Sequence, residues 1–373
     1  MNNKKRAMVF LIKSGCRFLR QTTKKHSAFT LSIVVLAMVY SGCKKQTAAP
    51  SGPSTNAGTV LSSEQSVVLM PMAVTLANDA SALYAGAVAF QSSPTPANLT
   101  TCRQLWLNAT ADYEQTSASL FGPNGSLGAD PASLINTYPI DTAGINSLVT
   151  GSAVFTLSYI DSVPSYLSGF HGMEFELYGI NGNKTASQFT AQQLSYISAV
   201  ALSIKTFTGQ VDTLWMSYPF SNAGSGSNIY PTQTAAFSDL VMAIANITET
   251  DAIYKLKGIL YNGADILQES PFANNSIKDI QNNLIGVSNI YYGQYTVKGT
   301  GLSAFVSQNN VALDTRIKND LSAAQTAVGL ITLPLSQAIY SQTSQMHLAI
   351  NACDSLDDDL KVSLLTYMNA NTN

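Results

Sequence analysis

Residues 194–215 read LSYISAVALSIKTFTGQVDTLW. Within them Leu194, Ile197, Ala201, Ile204, Thr208, Val211 and Trp215 recur at alternating spacings of four and three or close to it, which lines them along one face of a 3.6-residue helix and never along one face of a strand. A stripe this long specifies a helix of about six turns with one side in a core. Ile277, Ile280, Leu284, Val287 and Tyr291 repeat the pattern, and so do Leu313, Ile317, Leu321, Ala324, Val328 and Ile331. Helices also fit residues 62–92 (interrupted at Pro71), 99–120, 144–160, 233–257 and 335–368. Strand-like alternation is scarce, so the expected fold class is all-α. Between Tyr218 and Pro231 the chain reads PFSNAGSGSNIY, with no apolar period. Placing the boundary there gives two four-helix-bundle-like halves, residues 61–220 and 231–373. No 34-residue repeat is visible, which argues against a tetratricopeptide solenoid.

The first acidic residue is Glu64, so the opening carries only basic charge, from Lys4 to Lys25. An apolar block from Ala28 to Tyr40, too short to span a bilayer, is followed by Ser41-Gly42-Cys43. This resembles a bacterial lipoprotein signal, residues 1–42, cleaved before Cys43, whose thiol and new amino terminus would carry acyl chains. The expected location is the bacterial cell envelope, lipid-anchored at the outer membrane on its periplasmic or surface face. Residues 43–60, rich in Ala, Ser, Thr, Pro and Gly, have the composition of a flexible tether. Removing residues 1–42 takes eight of the 20 basic residues and none of the 22 acidic ones, leaving 12 against 22, a net charge of −10. Such acidity argues against a nucleic-acid partner and is compatible with cations. Of the four cysteines, Cys102 and Cys353 belong to the body, as a bridge or as two buried thiols.

The chemistry concentrates in Gly169–Gly179, GFHGMEFELYG. His171 and Glu174 lie three positions apart, one helical turn, so both side chains share a face and could hold one ion. Glu176 falls about 140° from His171 and is a poor partner for the same ion. His347 is the only other histidine after the leader, so carboxylates, hydroxyls or water must complete any site, a donor set suited to iron, manganese or zinc. Neither His-Glu-x-x-His nor His-x-x-Glu-His is present, so hydrolysis has no local support. The competing reading makes His171 a core histidine hydrogen-bonded to Glu174. Tyr178, Trp106 and Trp215 fit core positions, and Asp357-Asp358-Asp359 fits a solvated helix face, lacking EF-hand spacing.

The stretch resembles the Gly-x-His-x-x-Glu signature of the imelysin family, with Gly169 as the opening glycine. Trp106 through Pro123 is similar to the family's tryptophan-to-Phe-Gly-Pro helix, Tyr138-Pro139-Ile140-Asp141 to its aromatic-Pro-x-Asp turn, and Glu269-Ser270-Pro271 with Asn275 through Gly293 to its second-half segment. The resemblance runs in order from about residue 62 to the end. It implies an all-α protein of two bundle-like halves with the site between them, exported, often lipid-anchored and found in bacterial iron-uptake settings. The family takes its name from a member described as an insulin-cleaving metallopeptidase. Carried over, the metal ligands are His171 and Glu174, with Glu269, Asp279, Asp112 and Glu114 as further candidates. Where the family pattern leads one to expect a glutamate before Phe-Gly-Pro, this chain has Ser117, and Glu114 or Asp112 can compensate only if turned inward.

Three functions follow as expectations. The first is an envelope lipoprotein that binds a divalent or ferric ion, iron or zinc, or a metal-bearing ligand, for iron uptake beside a TonB-dependent or other iron-uptake partner. The second is a metallopeptidase in which His171 and Glu174 hold a water-activating metal. The third is a glycan- or peptide-binding module with a structural motif. The scarcity of histidine favours binding over catalysis.

Overall fold

The computed structural model describes residues 55–120, 134–262 and 268–372. The leader, Cys43, most of the tether and Phe121-Gly122-Pro123 lie outside them. Among the described residues the regular elements are helical, and the extended pairing present is one isolated bridge, Gln294 to Lys298.

The body begins at α1 (Ala57–Ser63), inside the stretch whose composition reads as tether. Asn56 caps it by accepting a hydrogen bond from the Thr59 amide at 2.8 Å, satisfying one of the free donors of a helix start. Gln308 clasps the backbone just before it, accepting from Thr55 N and donating to Thr55 O, both at 3.0 Å. The helix then continues through a π-helical turn, Glu64–Leu69, into α2 (Met70–Ser92). Pro71 therefore does not interrupt the run; it sits in the first turn of α2, directly after the π turn. Next comes α3 (Pro96–Thr116), capped by Thr95. The single helix expected over 144–160 is two, α4 (Thr142–Thr150) and α5 (Leu157–Ile160), because Gly151 ends the first and Thr156 caps the second through the Tyr159 amide. The motif helix α6 (Gly169–Tyr178) follows, then α7 (Ala191–Ser217), in which all seven residues of the 194–215 stripe are buried. Their burial contributes roughly 1.5–3 kcal/mol for each large aliphatic side chain, far more than helix propensity could supply across so many β-branched residues.

Beyond the 218–231 segment lie α8 (Gln233–Ile247), a second π turn (Thr248–Tyr254), α9 (Lys255–Asn262) and α10 (Ser276–Tyr292). They are followed by α11 (Leu302–Asn309), α12 (Val311–Gly329), α13 (Leu335–Ser341), α14 (Thr343–Asp358), a third π turn (Asp359–Leu364) and α15 (Leu365–Asn371). Helix α2 packs on both α3 and α7, α6 packs on α3 and α7, α12 packs on α14, and α3 packs on α10.

The π turns add a residue to a helical turn and so rotate everything after them by about 100° relative to an unbroken α-helix. Each brings polar groups inward. The first buries Glu64 and Gln65, the second immediately precedes the buried Lys255, and the third buries Asp359. Gln65 is used fully: its amide nitrogen donates to Tyr218 O at 2.8 Å and its amide oxygen accepts from Ser221 N at 2.7 Å, which pins the start of the 218–231 segment to the first helical run. Asp359 pairs with Arg316 Nε at 2.6 Å and Asp357 with Lys361 at 3.2 Å. The acidic run is thus paired at both ends instead of forming a solvated face. Cys102 and Cys353 are free, buried thiols pushed up to about 12 by desolvation, which makes both poor nucleophiles.

Helices α3 and α10 meet backbone to backbone. A Cβ on Gly286 would stand 2.2 Å from Gln115 O, so only glycine permits this approach. Gly286→Val is expected to cost about 2 kcal/mol or more by forcing the helices apart, read as a lower denaturant midpoint at unchanged slope.

Candidate functional site

The motif helix is set by its glycines and by α3. Gly169 has φ of +72°, and a Cβ there would meet Ile135 O at 2.4 Å. Glycine is required on both counts: left-handed backbone and a chain crossing directly overhead. That crossing chain leads into Asn136. A Cβ on Gly172 would meet the Tyr196 hydroxyl at 2.5 Å, and that hydroxyl donates to Leu167 O at 2.7 Å. From α3, Trp106 Nε1 donates to Phe170 O at 3.0 Å, while the Arg103 guanidinium donates to Leu177 O at 2.6 Å and to Lys184 O at 2.5 Å. Arg103 thereby satisfies carbonyls that a helix C-terminus leaves without partners. Tyr178 packs edge-on against Trp106, and the Arg103 guanidinium lies over its ring at 4.8 Å.

His171 and Glu174 share a face as their spacing requires, but the carboxylate lies behind the imidazole. His171 Nδ1 is 3.4 Å from Glu174 Oε2, and Glu174 Oε1 accepts from the backbone amides of Phe272 and Ala273, both at 2.8 Å. Glu174 thus orients the ring and ties α6 to the segment before α10. Burial raises the Glu174 carboxyl above its usual range, and His171 and the Ala273 amide pull it back down. Glu174 lies on the Nδ1 side of the ring, so Nε2 is the nitrogen on the side of Glu269. Nε2 is buried, has no hydrogen-bond partner, and stands 3.9 Å from Glu269 Oε1. The Tyr138 ring meets the imidazole edge-on, centroids 5.6 Å apart.

Glu269 is the centre of a polar chain through the core. Its Oε2 accepts a very short hydrogen bond from Lys255 Nζ, and its Oε1 accepts from Asn136 Nδ2 at 2.9 Å. Lys255 Nζ also lies 3.8 Å from Glu114 Oε2, and Asn136 Nδ2 3.3 Å from Glu114 Oε1. Asn283 Nδ2 donates to Glu114 Oε2 at 2.7 Å. Asp279, fully buried, accepts from Asn275 Nδ2 at 2.7 Å and is pushed up to about 8 by desolvation and by the charge of Glu269. His171, Glu174, Glu269, Glu114 and Asp279 therefore belong to one cluster, built from α3, α6, α10 and the segments between. Glu114 does turn inward, and Ser117 helps hold it: the serine hydroxyl donates to Glu114 O at 2.7 Å and accepts from Asn283 Nδ2 at 3.2 Å. Asp112 faces elsewhere, against Asp79 and near Tyr295, and Glu176 pairs with Lys184 at 2.9 Å.

A cavity of about 430 Å³ opens beside the imidazole, with Tyr138, Ile140, Glu269, Pro271 and Phe272 among its walls. Among the described residues no group of three or more His, Cys, Asp or Glu side chains converges to hold a metal. Behind the cavity wall lie two buried donors, His171 Nε2 and Glu269 Oε1, 3.9 Å apart, a separation that one ion with bonds of about 2 Å can span after a small closure.

Sequence reading missed Lys255, Asn136 and Asn283. Asn283 had a signal, since with Ser276 and Asp279 it interrupts the apolar stripe of α10 with polar groups at helical spacing. Lys255 had a faint one, being flanked by the core residues Leu256 and Ile259. Asn136, in a loop, had none.

This helical architecture is shared with solved imelysin-like proteins. The family model described as imelysin matches residues 69–363, and the chain belongs to that family. It is 25% identical over 310 residues to iron-regulated protein A of Synechococcus elongatus, covering 80% of this chain and 83% of that protein. Among solved structures, a protein assigned as an iron-regulated protein A precursor from Parabacteroides distasonis superposes with a TM-score of 0.74 at 20% identity, covering 85% of this chain and 97% of that one. An imelysin-like protein from Psychrobacter arcticum gives 0.67 at 18% identity, covering 83% and 94%.

Asp112 supplies a test through pH. Desolvation and the Asp79 carboxylate raise it from 3.8 to about 7, so between those values the folded protein binds more protons than the unfolded chain. Stability then falls as pH rises through that window. Asp112→Asn removes the penalty and is expected to raise the melting temperature at pH 8, with the gain shrinking toward pH 4.

Proposed function

We propose that the protein captures a metal ion carried in a small chelate, held in the cavity beside His171, and that it serves iron acquisition at the bacterial envelope. The observation that carries this reading is His171 Nε2: a buried nitrogen with no hydrogen-bond partner, on the side of the ring away from Glu174 and 3.9 Å from Glu269 Oε1. Burying such a group unpaired is unfavourable unless a ligand takes it up. A carboxylate behind the imidazole is the arrangement that orients metal-binding histidines elsewhere. Two protein donors leave most positions around an ion open, and 430 Å³ is far more room than a bare ion needs, so the remaining donors are best supplied by an organic ligand. The iron-regulated name of the cyanobacterial relative agrees with such a role.

When bound, the ion would supply Lewis acidity. Hydrolysis also asks for a carboxylate free to accept a proton from water. Glu174 is held by two amides and the imidazole, and Glu269 by Lys255 and Asn136, which favours binding over peptidase activity. The basic leader and Ser41-Gly42-Cys43 support lipid anchoring at Cys43, which would place the cavity where a receptor or transporter of the iron-uptake machinery could deliver or collect cargo.

Titration with ferric citrate tests the reading. His171→Ala and Glu269→Gln are each expected to weaken binding at least tenfold, about 1.4 kcal/mol, with helical circular dichroism retained. Equal affinity in all three proteins sinks the proposal. Metabolic labelling with palmitate is expected to tag the wild-type chain and leave Cys43→Ala untagged.

A further inference from the structure

We infer that Lys255 is a built-in cation that closes this site to free divalent ions, so that the cavity selects metal already dressed by a ligand. The inference rests on the binding reading above and adds the residue that decides which form of the metal is admitted. Lys255 is 5% exposed and does not line the cavity. It approaches the cluster from the opposite side, its ammonium bonded to Glu269 Oε2, 3.8 Å from Glu114 Oε2 and 5.6 Å from the Tyr138 ring centroid. Glu269 is thus shared: one oxygen belongs to Lys255, and the other faces His171 Nε2.

Without the ammonium, this interior has the donor set of a cation site. Glu114 and Glu269 converge on the position of Nζ, His171 stands on the far side of Glu269, and the amide oxygens of Asn136 and Asn283 are buried and accept nothing. Oxygen acceptors outnumber donors, a balance that suits an added positive charge. Lys255 supplies that charge covalently. A bare divalent ion between His171 and Glu269 would have to share that carboxylate with the buried ammonium already bonded to it. A chelate brings its own donors and asks less of Glu269. The π turn over Thr248–Tyr254 is what delivers the lysine, because the residue it adds turns Lys255 toward the carboxylates.

Calorimetric titration with Zn²⁺ alone, on wild type, Lys255→Met, Lys255→Arg and Lys255→Met/His171→Ala, tests this. Lys255→Met is expected to bind Zn²⁺ at least tenfold more tightly than wild type, Lys255→Arg to stay within threefold of wild type, and the double variant to lose the gain. No gain in Lys255→Met overturns the inference, as does an equal gain in Lys255→Arg, since loosening of the core and not charge would then be the cause. If Lys255→Met does not fold alone, refolding with Zn²⁺ decides: recovery of helical circular dichroism supports the inference, and failure to recover overturns it. The chelate reading fails separately, if wild type ignores ferric citrate while Lys255→Met gains Zn²⁺.

Discussion

A carboxylate buried at the middle of a helical core has to be neutralised where it stands, because desolvating it costs several kcal/mol that only close partners return. Glu269, 2% exposed, imposes that requirement here. Lys255 must reach it from α9 and Asn136 from the loop over α6, while His171 Nε2 stands 3.9 Å from its other oxygen. Glu114 then shares the lysine and the asparagine, which commits α3, and Asn283 completes Glu114, which commits α10. The close α3–α10 seam at Gly286 and the left-handed turn at Gly169 are backbone consequences of bringing those side chains together. A polar centre with this many mutual contacts favours one arrangement of its chain segments, where an apolar core would tolerate several.

The imidazole is one of several groups in this cluster with a polar atom left over. Each carboxylate in the chain from Glu174 to Glu114 has at least two partners, whereas His171 Nε2 has none. The surrounding hydrogen bonds orient the ring and fix Glu269, while His171 Nε2, the amide oxygens of Asn136 and Asn283 and one Asp279 oxygen make none.

Much of the architecture was legible in the sequence because helical stripes are redundant. Seven positions announce α7, and no single substitution hides the period. The resemblance, too, rested on an ordered set of blocks, and the family match spans the same region. The errors came where one residue changes the phase or the path. The π turns are invisible in a stripe, so the first helical run is expected to break at Pro71 and nothing singles out Lys255. For the motif pair, spacing reports a shared face, open to a shared ion or to a mutual hydrogen bond, but not which oxygen meets which nitrogen; the amides of Phe272 and Ala273, far along the chain, decide that Glu174 faces the back of the ring. Asn136 was unreadable, since a loop has no period and its role follows from the glycine beneath it.

The grip of α3 on the motif helix has a wider consequence. Ten residues are too few to stay helical in water alone, and α6 is held at one end by Trp106 and at the other by Arg103, side chains one turn apart on a different helix. The Gly-x-His-x-x-Glu signature is therefore not a portable module in the way a zinc knuckle or a calcium loop is. Its letters identify the place, but α3 fixes where the helix that carries the imidazole lies. A change at Arg103 or Trp106 would therefore shift His171 against Glu269 while leaving every letter of the signature intact.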